Sequence, residues 1–298
     1  MPELPEVETI RRLIEGSLVG KRVATVKCTL AKLLRDSPIP DVAMLEGKRL
    51  LGAERRAKIL ILTFDDELAL LVHFKLAGQW AIILPDGCRF GAGHPIPYPL
   101  GFYPHKSTHV TFTFEDSSVA YYSDVRQFGW LRLMPVKDVA TALDRFGFGP
   151  EGTGELDYSI LRSYFERRGT PVKSLLLDQS VIAGLGNIYV DEVLFSAGVH
   201  PSRAANSLRP SQVRSILTAI GPVLAEGIAH GGAKIVQGRA YPVNQFPAVH
   251  GRAGEPCFRC GTSIQKVRVG GRGTYFCPTC QTRPRVRKAA PTEGAIVA

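Results

Sequence analysis

Cys257-Phe258-Arg259-Cys260, followed after sixteen residues by Cys277-Pro278-Thr279-Cys280, decides the C-terminal part of the fold. Two CxxC pairs at this spacing fit a structural zinc site, where four thiolates close a tetrahedron and leave no open position. Between the pairs, residues 264–269 and 274–276 have strand character and are joined across Gly270-Gly271-Arg272-Gly273. Three glycines around one arginine make a turn whose backbone can approach a ligand while one long side chain projects. A redox dithiol or a plain β-hairpin would use the same residue types. The expectation is one structural Zn2+ held by Cys257, Cys260, Cys277 and Cys280, with no redox cofactor. Cys28 and Cys88 stand alone and read as buried apolar thiols.

Charge gathers around this module. The chain has 298 residues and a net charge of +10, and residues 257–298 hold eight Lys or Arg against one acid, Glu293. Such an excess points to a polyanion, nucleic acid first and an anionic membrane second. Hydrophobic residues make up 45% and charged residues 21%, which excludes a disordered chain. No window approaches the ~18 apolar residues of a membrane span. The first residues, MPELPEVETIRR, lack the basic and apolar regions of a signal peptide. Six cysteines, four of them clustered, suit a reducing, cytoplasmic setting.

Working outward to the N-terminus, Val7, Ile10, Leu13, Ile14 and Leu18 recur at helical spacing, with Gly20 as a stop. The pattern then turns strand-like, over 22–29, 58–64, 68–74, 80–84, 109–114, 118–122 and 130–134, with a long loop over 91–108. Residues 137–146, 157–167, 172–178, 187–197 and 211–228 read as helices, the last interrupted by Gly221-Pro222. Residues 231–256 read as loop. The expected architecture is α+β and multidomain. An N-terminal β-sandwich with one helix spans 1–135, and a helical domain spans 136–235. A loop with the zinc β-hairpin spans 236–282, and a basic tail, expected to be disordered, spans 283–298.

Pro2 follows the initiator Met, and removal of Met1 would leave a secondary amine. An α-amine has a reference pKa of ~7.7–8.0, so part of it is neutral near pH 7 and can attack an electrophilic carbon. Glu3 stands beside it, placed for proton transfer. Pro2, Glu3 and Glu6 would equally serve to start a helix.

MPELPEVETIRR, the zinc hairpin and Gly184-Leu185-Gly186-Asn187-Ile188-Tyr189 together resemble the formamidopyrimidine-DNA glycosylases of the Fpg/Nei family, over Pro2 to about Gln281. The continuation ELPEVE is closer to the Fpg branch. The resemblance implies a base-excision repair glycosylase and AP lyase acting on oxidised bases in double-stranded DNA. Pro2 then resembles the nucleophile at C1′, and Glu3 the acid that helps open the deoxyribose. Lys58 and Arg272 match the basic residues of phosphate contact and of β- and δ-elimination. Residues 175–200 resemble the helix–two-turns–helix, with Asn187 starting its second helix and Arg168 and Lys173 adding phosphate contacts. Leu76, Arg126 and Phe128 match the three side chains that fill the gap left by an everted base.

The match has departures. Asp124-Val125-Arg126-Gln127-Phe128-Gly129 stands where the family commonly reads DPRRFG, and Leu76 where it has Met. Ser107 stands where some members carry a His, and the segment after Gly231-Gly232 is short and continues Ala233-Lys234. Oxidised purines, formamidopyrimidine and 8-oxoguanine-like, are the expected substrates. Oxidised pyrimidines, as in the Nei branch, and a non-catalytic zinc-finger DNA-binding protein are the alternatives. The expected partner is damaged double-stranded DNA, met by a monomer associated with the nucleoid.

Overall fold

The computed structural model of the chain describes residues 2–93, 102–144, 146, 147, 149, 158–236 and 238–282. Helix α1 (Leu4–Ser17) is followed by nine strands: β1 (Val23–Cys28), β2 (Leu50–Arg56), β3 (Ile59–Phe64), β4 (Leu68–His73), β5 (Gly78–Ile83), β6 (Arg89–Gly93), β7 (Thr108–Phe114), β8 (Val119–Asp124) and β9 (Trp130–Pro135). They form two antiparallel sheets, ordered β1-β7-β8-β5-β6 and β2-β3-β4-β9. Side chains from both inner faces, including Leu60, Leu62, Leu70, Val72, Trp80, Phe112 and Tyr122, meet in one core. The outer face of the second sheet is also covered. Ile59, Ile61, Ala69 and Leu71 pack with Met134 against Val139, Ala142 and Leu143 of α2 (Val139–Leu143) and its flank. Burial on both faces explains why β3 and β4 are unbroken apolar runs rather than alternating ones.

The sequence expectation held for seven strands, the edge strands β1 and β9 among them, and passed over two. Both β2 and β6 are edge strands. β2 reads LLGAERR, and only Leu50 and Ala53 in it are buried. With one side open to solvent, its apolar signal is too sparse to see in the sequence. β6 also claims the first residues of the expected 91–108 loop, whose residues 94–101 lie outside the described part. Cys28 is half-buried, whereas Cys88 is exposed in the turn before β6, which corrects its reading as a buried thiol.

The helical part comprises α3 (Tyr158–Arg167), α4 (Val172–Leu176), α5 (Asn187–Ser196) and α6 (Pro210–Ala229). α6 is continuous through Pro222. Pro222 lies on the exposed face together with Thr218, so the carbonyl that loses its intrahelical donor is open to water. The expected loop over 231–256 contains a two-residue ladder between β10 (Ile235–Val236) and β11 (Arg239–Ala240). β12 (Gln265–Val269) and β13 (Arg272–Phe276) make the C-terminal hairpin. The expected basic tail, 283–298, lies outside the described residues.

α1 belongs to two cores at once. Val7, Ile10, Ile14 and Leu18 pack in the sandwich, while Leu4 packs with Leu185, Tyr189, Ile220 and Leu224 of the helical part. Helix α1 therefore fixes the position of the N-terminus between them. No helix among the described residues is long and apolar enough to cross a membrane. Truncating Ile10, fully buried at the centre of α1, is expected to cost ~2–5 kcal/mol. Urea denaturation of Ile10→Ala should show this as a lower midpoint at unchanged slope.

Candidate active site and zinc module

The first turn of α5 has unpaired N–H groups and no side chain at its cap, because the cap residue is Gly186. The acceptor comes from the other end of the chain. Glu3 Oε1 accepts from Ile188 N at 3.0 Å, and Oε2 accepts from Tyr189 N at 3.4 Å. Glu3 is 1% exposed. Gly186 is required by the closeness of this approach: a Cβ there would stand 2.3–2.6 Å from the Glu3 carboxyl atoms. Leu4 N also donates to Gly184 O at 3.3 Å, so residues 184–186 cradle the start of α1. Pro2, buried, immediately precedes this seat.

Lys58 enters from the β2–β3 turn, where Ala57 has φ +52°. Its Nζ donates to Leu185 O at 2.7 Å, a carbonyl that also accepts from Gln179 Nε2 at 2.8 Å. Burial pushes the Lys58 ammonium below its ordinary range; Glu3 and Glu6 oppose that shift, and Arg272 and Lys75 add to it. Glu3 and Lys58 thus meet residues 185–189, and Lys58 feels the charge of Arg272.

Glu6 does more than start a helix. Oε2 accepts from Glu3 N at 2.9 Å, and Oε1 accepts from the Tyr189 hydroxyl at 2.8 Å and from Ala233 N at 2.9 Å. Burial raises its pKa, and the charge of Glu3 raises it further. Gly232, at φ +98°, leaves room for it, since a Cβ there would meet Glu6 Cγ at 2.8 Å. Sequence reasoning missed this tie between the N-terminus and the segment after α6, and also missed Gln179. The Glu3–Glu6 spacing was the visible signal for the first.

The three expected gap-filling residues come to one end of the sandwich. β4 pairs with β9 through His73 and Trp130, and β5 pairs with β8 through Gly78 and Asp124, so both connecting turns leave the same side. Leu76 is half-buried in one turn. In the other, Phe128 is 54% exposed and the Arg126 guanidinium lies over its ring at 5.2 Å from the centroid. Asp124, fully buried, ties this turn down. Its Oδ1 accepts from Arg126 N at 3.0 Å, and its Oδ2 accepts from Gly129 N at 2.8 Å. Gln127 has φ +54°, a left-handed conformation that its residue type does not announce.

The four cysteines lie together, with all Sγ atoms within 4.8 Å of one another. Sγ–Sγ separations of 3.9 Å for Cys257–Cys280 and 3.5 Å for Cys260–Cys277 and Cys260–Cys280 surround the ~3.8 Å edge of a tetrahedron with ~2.3 Å Zn–S bonds. Arg259 N and Cys280 N donate to Cys257 Sγ and Cys277 Sγ respectively, each at 3.4 Å, as a thiolate knuckle requires. The residues fit one structural zinc. The module docks on α5 and the residues just beyond its end: Arg259 Nη1 donates to Phe195 O at 3.0 Å, and Gln281 Nε2 donates to Val199 O at 3.0 Å. The hairpin turns at Gly270-Gly271, both at positive φ, and Arg272 opens β13, exposed.

The remaining expected contacts divide. Arg168 is at the surface, paired with Asp178 at 3.1 Å. Asn187 does open α5, but its Nδ2 donates to Gly273 O at 3.0 Å. Lys173 is a correction. It was expected to meet a phosphate, and it is fully buried, with Nζ donating to Asp191 Oδ1 at 2.7 Å and to Gly273 O at 3.0 Å. Its charge is spent inside the protein, where a buried ammonium needs a partner.

A family model of the formamidopyrimidine-DNA glycosylase N-terminal domain matches residues 1–131, one of the H2TH domain matches 148–238, and one of a zinc finger found in FPG and IleRS matches 254–283. The formamidopyrimidine-DNA glycosylase of Exiguobacterium sibiricum is 40% identical over 295 residues, covering 94% of this chain and 99% of that protein. That of Bacillus cereus is 35% identical over 291 residues, covering 95% and 100%. Among solved structures, Lactococcus lactis Fpg with abasic-site DNA matches at a TM-score of 0.81 and 32% identity, covering 95% of this chain and 100% of that one. MutM with DNA containing carbocyclic 8-oxo-G matches at 0.81 and 34%, with the same coverage. The chain belongs to the formamidopyrimidine-DNA glycosylase family, whose members are bifunctional glycosylases and AP lyases of base-excision repair.

The geometry carries two expected outcomes. Gly186→Ala should push the Glu3 carboxylate off α5 and lower single-turnover excision at least about a hundredfold, as expected when a reacting group is misplaced by ~1 Å. Stripping the metal with a chelator should release one Zn2+ per chain by elemental analysis and abolish binding to a damaged duplex, because the hairpin has too little core to fold alone.

Proposed function

We propose that the chain excises oxidised purines, formamidopyrimidine and 8-oxoguanine-like, from double-stranded DNA and then cleaves the strand, with Pro2 as nucleophile. The observation that carries this reading is the seat of Glu3 on the first turn of α5, which sets the residue after Pro2 close to the loop carbonyl that holds the buried Lys58. The Pro2 nitrogen forms a bond to C1′ as the bond from C1′ to the base breaks. Glu3 takes the proton that the Pro2 nitrogen loses and passes it to the ring oxygen; the deoxyribose opens, the C1′–N bond becomes an iminium, and the base leaves with the bonding pair and takes a proton from water. The iminium acidifies the C2′ protons, so loss of one expels the 3′ phosphate, and a second elimination expels the 5′ phosphate. Lys58 and Arg272 hold phosphate and help in these two eliminations.

Leu76, Arg126 and Phe128 are assigned to the vacated stack, where the exposed Phe128 ring wedges between bases and Arg126 meets the orphaned partner. Arg168 and Asn187 are assigned to the backbone, Asn187 through the N–H that Gly273 leaves free. The three parts at 1–135, 136–235 and 236–282 are taken as its domains, and the protein as a monomer acting in the cytoplasm on nucleoid DNA. The short segment after Gly232 and the Ala233 amide bound to Glu6 bear on lesion choice. Borohydride added during turnover should trap a covalent protein–DNA adduct with the wild type and none with Pro2→Gly. Across duplexes with formamidopyrimidine, 8-oxoguanine and thymine glycol, trapping should be strongest on the first two. Strong trapping with Pro2→Gly would refute the nucleophile, and a preference for thymine glycol would refute the purine assignment.

A further inference from the structure

Asp191 takes no part in the steps of excision and strand cleavage, yet it is a buried acid with three polar partners. It sits on α5, one turn after Asn187, and is 1% exposed. Oδ1 accepts from Lys173 Nζ at 2.7 Å. Oδ2 accepts from Tyr275 N at 3.0 Å and faces His250 Nδ1 at 2.7 Å. Helix α4, strand β13 and the segment before the zinc module therefore converge on one carboxylate. Lys173 passes the link on to Gly273 O, the carbonyl that also accepts from Asn187 Nδ2. Gly273 is the residue after Arg272. On the other side of the turn, Gly270 lies so close to α4 that a Cβ would stand 2.2 Å from Ser174 Oγ. The backbone on both sides of Arg272 is thus fixed to α4 and α5, while the Arg272 side chain stays exposed.

A buried carboxylate with both oxygens paired holds its partners in place, and that has a consequence for binding. A guanidinium on a loose hairpin tip must lose both backbone and rotamer freedom to hold a phosphate; one on a fixed tip loses only rotamers. We propose that Asp191 is a positioning residue, which acts through Lys173 and the Tyr275 N–H to set where Arg272 stands and so the strength of its grip on phosphate. This rests on the assignment of Arg272 to phosphate in the proposed function.

The test is equilibrium binding of the full-length protein to a duplex carrying a tetrahydrofuran abasic analogue, repeated over a range of KCl. Each phosphate contact contributes ~0.9 to the slope of log affinity against log salt. Asp191→Asn is expected to weaken binding about tenfold and to flatten the slope by about that one contact. Arg272→Ala is expected to do the same, and Asp191→Asn should add nothing in the Arg272→Ala background. The paired change Asp191→Leu with Lys173→Met removes both charges together and avoids a stranded buried ion. It should retain one zinc per chain and show the same flattening. Losses that multiply in the double variant, or a wild-type slope in either Asp191 variant, overturn the positioning role alone. A wild-type slope in Arg272→Ala overturns the phosphate assignment and the positioning role with it.

Discussion

The whole arrangement depends on one contact: the carboxylate of residue 3 seated on the exposed N–H groups of a helix that begins at residue 187. Helix starts attract anions because their first N–H groups lack partners and the helix dipole is positive there. Most helices meet the need with a side chain at their own cap. α5 has glycine there, and the cap arrives from the far end of the chain. That single substitution of a remote for a local acceptor brings the N-terminal proline, the β2–β3 lysine and the helical domain into one place. It also explains why Gly186 has an ordinary φ yet tolerates no side chain.

Around that seat the electrostatics are arranged by burial. Lys58 is held against a carbonyl with its ammonium disfavoured by desolvation, and two acids nearby limit the shift. Glu6 is disfavoured as an anion by the same burial and by Glu3. Each charged group is therefore poised by its neighbours and not by solvent. The zinc module contributes in another way. Four thiolates replace a hydrophobic core that a segment of about thirty residues cannot build. Arg259 and Gln281 then fasten it to the helices, so metal binding is converted into the placement of one exposed arginine.

Much of this was legible in the sequence, for physical reasons that differ by element. The zinc ligands were visible because a tetrahedron imposes a short, local spacing. β3 and β4 were visible because two buried faces demand unbroken apolar runs, and β7 because its apolar residues alternate with polar ones. β2 and β6 were not, since β2 buries only two of its seven residues and β6 none. Lys173 was misread because a lysine just before the helix–two-turns–helix looks the same whether it faces phosphate or a buried aspartate. Only the fold brings Asp191 next to it. The same holds for Glu6, whose helix-start spacing was plain but whose bonds to Tyr189 and Ala233 join residues 183 and 227 positions apart.

The sharing of α1 between two cores has a consequence in time. Glu3 is made before its seat on α5, which follows 185 residues later. At ~5–20 residues per second, roughly 10–40 s separate the two events. Until then Glu3 has no donors, and Leu4 has no helical core to enter. A chain that ends before α5 thus has Glu3 without its seat. The seat of Glu3 therefore forms only once α5 has been made, by nothing more than the order in which the parts appear.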